Sequence, residues 1–190
     1  MADIKYKKSS SVQTKQYTLV FPYNAKNTHV LLGLKKRGFG VGKWNGFGGK
    51  VKENESINAC AARELKEECG IEDAILKKMA ILFLTWEESA SVIEIHVYKA
   101  TQFHSKPIES EEMMPRWFSV DPFAKNHIPY DKMWEEARIW YQEFQKGKKF
   151  ILYVLFKGNI DTSKDGSSII SSRLIHVEDV QNYTYTDYAL

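Results

Sequence analysis

Residues 49–71 restrict this chain more than any other stretch, because they describe a helix with one face committed to a core and another crowded with acid. Ser56 can cap its start, Ile57, Ala61 and Leu65 repeat at i,i+4 as an apolar stripe, and Gly70 supplies the stop. At helical pitch Glu64, Glu67 and Glu68 then fall within an arc of about 100°. Like charges that close repel each other. A helix tolerates them most readily with a divalent cation among the carboxylates, and hard oxygen donors in a cluster suit Mg²⁺ or Mn²⁺. The pattern therefore points to metal-assisted phosphate chemistry.

The rest of the composition sets bounds around that helix. A chain of 190 residues, 43% of them hydrophobic, is long enough for one domain with a substantial core. Its 27 Lys and Arg against 24 Asp and Glu give a net charge of +3, too mild for a protein that wraps a polyanion, so no stable nucleic-acid complex is expected. No stretch approaches the roughly 18 apolar residues of a membrane span, and residues 1–15 lack an apolar signal core. Cys60 and Cys69, nine positions apart on one helix, can neither bridge nor form a metal pair. We expect a soluble, cytoplasmic monomer, with nucleus or organelle left open.

Along the chain, residues 1–15 offer no continuous apolar face and read as a flexible arm, followed by one domain over 16–157 and an extension over 158–190. Residues 17–23 and 29–34 read as strands around a turn-rich Asn24-Ala25-Lys26-Asn27, and 44–48 as a short glycine-broken segment. Downstream, 76–86 and 92–101 pair as strands, 117–120 forms another, and a second helix runs from 131 to about 145 on Met133, Ala137, Trp140, Tyr141 and Phe144. Residues 148–156 form a strand, 161–172 a loop and 173–177 a last strand packed on the same domain. The order is mixed, α+β, with no internal repeat.

Seven fixed residues and two aliphatic positions, Gly49, Glu55, Arg63-Glu64-Leu65, Glu67-Glu68 and Gly70-Ile71, occur at set spacing with chance odds of about one in a billion per start site. This pattern resembles the complete signature of the Nudix hydrolases. The surrounding segments Tyr17-Thr18-Leu19-Val20, Lys35 to Gly40, Trp44 to Lys50, 107–118 and Met133-Trp134 resemble the animal-type oxidised-purine nucleoside triphosphatases, the MutT homologues, over roughly residues 16–156. The resemblance implies an α/β/α Nudix fold with a mixed sheet and the loop-helix-loop holding Mg²⁺ or Mn²⁺. It also implies that water attacks an internal phosphorus of a nucleoside triphosphate, releasing monophosphate and pyrophosphate.

Under that resemblance Glu64, Glu67 and Glu68 are the metal ligands, and Glu68, nearest the apolar stripe by helical angle, is the candidate to activate water. Arg63 orients the glutamates, Glu55 pins the loop, and Gly49, with Gly48, lets backbone approach so that its carbonyl is a further candidate ligand. An additional acid from outside the helix is implied, with Glu112 and then Glu109 as candidates that read equally well as solvated loop charges. Asn45 offers a base edge one acceptor and two donors, and reads otherwise as a turn residue before Gly46.

Thr18, Phe39, Phe83, Ile93, Trp134 and Trp140 align with the family's base pocket, although each also reads as core, and stacking on a base suits Trp134 better than Trp140. Lys35 aligns near the substrate or is part of a basic strand end. One departure stands out: where the family has two adjacent aspartates that read the purine edge, this chain has Glu136 and Ala137, with Glu135 before them. Our expectation is that Glu136, helped by Glu135, reads a purine over a shifted set of modified bases. Two rivals are a Nudix hydrolase of other nucleoside diphosphate derivatives, such as dinucleoside polyphosphates or capped RNA, and a non-catalytic nucleotide- or RNA-binding module using Lys5 to Lys8 and Lys146 to Lys149.

Overall fold

The computed structural model describes residues 13–160, 168–181, 183 and 185. Among the described residues, eight strands form two sheets. The larger has the order β1 (Gln13–Pro22), β5 (Ser91–Thr101), β4 (Ile75–Trp86), β7 (Phe150–Phe156), β8 (Ile169–His176). The smaller has the order β3 (Trp44–Asn45), β2 (His29–Lys35), β6 (Met113–Ser119). The pairings β1–β5 and β4–β7 are parallel, while β4–β5 and β7–β8 are antiparallel, so the large sheet is mixed.

Period-two alternation assigns each strand residue to a face. On one face Val20, Tyr98 and Ala100 pack with Ala61, Leu65 and Cys69 of α1 (Ile57–Cys69), which also reaches Leu31 and Met113 of the small sheet. On the other, Phe21, Leu82, Leu84, Val97 and Leu152 pack with Trp140, Tyr141 and Phe144 of α2 (Ala137–Gln145). Helices therefore cover both sides, the α/β/α arrangement that the resemblance implied. Helix α1 starts and stops where its sequence says: the Ser56 side chain accepts from the Ala59 N–H, and Gly70 (φ 75°) sends its N–H to the Lys66 carbonyl.

Several elements differ from the sequence reading, each for a local reason. Strand β1 takes in residues 13–15, assigned above to the arm, because parallel pairing with β5 extends from Gln13 opposite Ser91; residues 1–12 lie outside the described ones. Strand β6 starts at Met113 rather than 117, and tolerates Pro115 because it is an edge strand. Helix α2 starts at Ala137 rather than 131: Tyr130–Lys132 is a 3₁₀ turn after Pro129, and Met133 is extended (φ −101°, ψ −178°) with its side chain buried in the core. Strand β8 begins at Ile169 inside the expected loop, its exposed Ser171 and Ser172 being compatible with a sheet edge that faces solvent. Among the described residues no helix is long and apolar enough to cross a membrane.

Candidate active site

Helix α1 presents its acidic face to a cavity of about 540 Å³ lined by Glu64, Glu67 and Glu68, together with Gly48 and Gly49, Lys35 and Glu112. The carboxylates are held apart by cations. The Arg63 guanidinium donates two bonds to Glu55 (2.7 and 2.9 Å), one to Glu64 (2.6 Å) and one to Glu67 (3.0 Å). Glu55 also accepts from the Lys52 N–H (3.0 Å), so it pins the loop ahead of the helix, and its carboxyl is held down to about 2 by Arg63 first and by that backbone bond second. The Glu55 carboxylate first, with Glu64 and Glu67 after it, raises the Arg63 pKa in return.

Glu68 is the buried member of the three, 4% exposed. One oxygen accepts from the Gly48 N–H (2.8 Å) and the other from Lys35 Nζ (3.1 Å). Burial nevertheless outweighs these bonds and raises its pKa, which suits a proton acceptor better than an ordinary surface glutamate would. Lys35 donates in turn to Glu112 (2.9 Å), which also receives Arg37 (2.8 Å), so Glu112 reaches the cavity. Glu109 does not: it is ion-paired with Lys36, away from the cavity lining.

The donor set matches a hard divalent cation in type, three carboxylates on one helix face with glycine backbone beside them. The backbone approach at Gly49 is real, since a Cβ there would lie 2.5 Å from Glu64 Oε1. The Gly49 carbonyl already accepts the Thr18 N–H (2.9 Å). Among the described residues no three acidic, His or Cys side chains converge on a single point; Glu64 is paired with Arg63 and Glu68 with Lys35.

A second, larger cleft of about 1120 Å³ opens on the α2 side of the sheet and shares Lys35, Gly48, Gly49 and Glu112 with the acidic cavity. Of the residues expected in a base pocket, Thr18, Phe39, Asn45, Ile93, Trp134, Glu135, Glu136 and Trp140 line it. Thr18 turns its hydroxyl to Cys60 Sγ (3.4 Å); Asn45 ends β3 opposite Gly33 rather than sitting in a turn, and its side-chain oxygen accepts the Gly46 N–H (2.9 Å). Trp134 is stacked on Phe39 with ring centroids 5.0 Å apart. Trp140 is core, ringed by Phe21, Tyr141 and Phe144, yet it touches the cleft, and its buried Nε1 has no hydrogen-bond partner among the described residues. Desolvation pushes the Glu136 carboxyl up to about 7, with Lys43 opposing the rise and Glu135 adding to it.

Phe83 is the misplaced member. It lies on the other face of β4, stacked on Tyr153. Its neighbours Leu82, Leu84 and Trp86 face the cleft instead, and strand alternation is the signal that identifies them once the strand is known. Lys43 and Tyr130 are further lining residues that the sequence reading did not single out.

A family model of the Nudix domain matches residues 14–144, and this chain belongs to the Nudix family. Two curated proteins named oxidized purine nucleoside triphosphate hydrolase are each 38% identical to it. The zebrafish (Danio rerio) protein aligns over 80% of this chain and 89% of its own length, and the mouse (Mus musculus) protein over 85% and 95%. The structure of a MutT protein from Bacillus halodurans matches with a TM-score of 0.65 at 23% identity, covering 84% of this chain and 97% of that one, a likeness of fold. Nudix hydrolases as a class use divalent metal ions.

Proposed function

We propose that this chain is a Mg²⁺-dependent pyrophosphohydrolase that converts oxidised purine nucleoside triphosphates to monophosphate and pyrophosphate, removing them from the nucleotide pool. The observation that carries the reading is the continuity of the two cavities: acidic residues at one end, aromatic and amide groups at the other, joined at Lys35, Gly48 and Gly49. A nucleotide is built the same way, with a polyanion at one end and a flat heterocycle at the other. The naming of both 38%-identical relatives for this activity supports the same substrate class.

Glu64, Glu67 and Glu68 would hold Mg²⁺, which when bound neutralises phosphate charge and lowers the pKa of coordinated water. The remaining work belongs to the protein's own side chains. Lys35 and Arg37 attract the triphosphate, and Glu68 accepts the proton of the attacking water. A new P–O bond forms at an internal phosphorus as the P–O–P bridge to pyrophosphate breaks. Arg63 keeps Glu64 and Glu67 in place throughout.

Purine selection falls to the cleft. Asn45 addresses one base edge, Trp134 supplies a ring wall, and Glu136, whose carboxyl desolvation pushes up to about 7, can donate a hydrogen bond to an oxo group when protonated and accept one when ionised. The unpartnered Trp140 N–H is a further donor, since leaving it unmet costs about 1–3 kcal/mol. The test is pyrophosphate release with Mg²⁺ from 8-oxo-dGTP, 2-hydroxy-dATP, dGTP, dATP and a dinucleoside polyphosphate, with Glu68→Gln as control. Turnover of the modified purines that collapses in the control is expected. Turnover of the dinucleoside polyphosphate alone would replace this substrate, and nucleotide binding without any turnover would replace the enzyme with a binding module.

A further inference from the structure

The loop between β2 and β3 carries three glycines in left-handed backbone: Gly38 (φ +76°), Gly40 (φ +80°) and Gly42 (φ +83°). Backbone alone explains why all three lack a side chain. Only Gly40 has a second reason. A Cβ at Gly38 or Gly42 would meet nothing within 4 Å, whereas one at Gly40 would lie 2.7 Å from Cζ2 and 3.4 Å from Cε2 of Trp134.

Two neighbours of Gly40 touch the same indole. Phe39, left 67% exposed, stacks on it with ring planes 20° apart, and Lys43 Nζ lies 4.9 Å from a Trp134 ring centroid. Trp134 follows the extended Met133 and precedes α2, so neither a strand nor the helix itself fixes its ring. The loop does. We propose that Gly40 is a specificity-determining positioning residue: by presenting no Cβ, it lets the loop seat Trp134 as a wall of the cleft at the spacing a purine requires. This inference rests on the reading of the cleft as a purine site.

Carbon atoms settle at about 3.5–4.0 Å, so a methyl group at Gly40 would drive the indole roughly 1 Å from its seat. Displacements of that size cost up to about 100-fold where geometry matters. The loss should appear in KM rather than kcat, since the ring faces the base and not the phosphates.

The test uses the full chain carrying 5-fluorotryptophan, with the Trp134 resonance among the five tryptophans assigned by Trp134→Phe. Gly40→Ala should shift that ¹⁹F resonance and raise KM for 8-oxo-dGTP by about tenfold or more, with kcat within about threefold. Gly42→Ala, with matching backbone strain and no ring in reach, should leave the Trp134 resonance in place. In a Trp134→Phe background, whose smaller ring relieves the contact, Gly40→Ala should cost less than about threefold in KM. Equal behaviour of Gly40→Ala and Gly42→Ala, or a full penalty in the Trp134→Phe background, overturns the proposal. Should Gly40→Ala fail to fold, rescue by Trp134→Phe supports it and failure of rescue overturns it. A wild-type chain with no purine turnover refutes the proposed function alone, and the ¹⁹F comparison still decides whether Gly40 seats the ring.

Discussion

Arg63 shows how much one side chain does at this site. Its guanidinium fork spans Glu55, Glu64 and Glu67 at once, joining the loop ahead of α1 to two glutamates of the acidic face. A lysine keeps the charge but cannot hold three carboxylates in a plane. Arg63→Lys should therefore lower kcat by about 10–100-fold, as for residues that orient ligands, while substrate KM moves little, a split that steady-state kinetics reads directly. Glu136 makes a different prediction, about stability. Its folded pKa, about 7, lies above the ordinary 4.5, so the folded state holds a proton that the unfolded chain releases. That contribution is complete below about pH 4.5 and is lost as pH rises through 7. Lys43, Glu135, Asp131, Arg138 and Tyr130 border the same cleft. Glu136→Gln should accordingly raise Tm at pH 8 and have a much smaller effect at pH 5, measured by thermal melts at both values.

At the scale of the element, α1 joins the core to the chemistry. Its apolar stripe buries Ala61 and Leu65, and the same periodicity turns Glu64 toward Gly49. Gly49→Ala places a methyl group against a carboxylate that Arg63 restrains, so activity should fall at least about tenfold while Tm changes by less than about 3 °C. A melting loss without an activity loss would mean that Gly49 serves packing only. This helix was legible in the sequence because cap, stripe and stop agree within a single span. Helix α2 was not fully legible: Met133 shares its apolar phase, but burial of that side chain and the 3₁₀ turn after Pro129 hold residues 133–136 outside the helix. Phe83 shows the other limit, since a family alignment off by one position on a strand turns a pocket residue to the opposite face.

For the whole molecule, the layout explains why the two cavities meet. Helices on both sides of the large sheet leave the sheet ends near β1, β2 and the 46–49 segment as common ground, and Lys35 lies on it between the acidic helix and the aromatic cleft. Strand β8 has a separate task. It pairs along β7, all of whose residues are buried and apolar or aromatic, and so shields an edge that would otherwise template aggregation. A chain ending at residue 160 should form aggregates visible by light scattering, whereas a monodisperse, fully active product would show that β7 needs no cover.

The proposed selection of an oxidised purine would run through a cleft that carries Glu136 and Ala137 where the family resemblance implies paired aspartates. The ratio of kcat/KM for 8-oxo-dGTP over dGTP, with Mg²⁺ at neutral pH, in wild type and in Glu136→Ala tests it most directly. We predict a wild-type ratio of about tenfold or more, falling by about the 1–3 kcal/mol of one buried hydrogen bond, or roughly 5- to 150-fold, in the variant. A wild-type ratio near one, or a ratio untouched by Glu136→Ala, would rule out purine selection through Glu136.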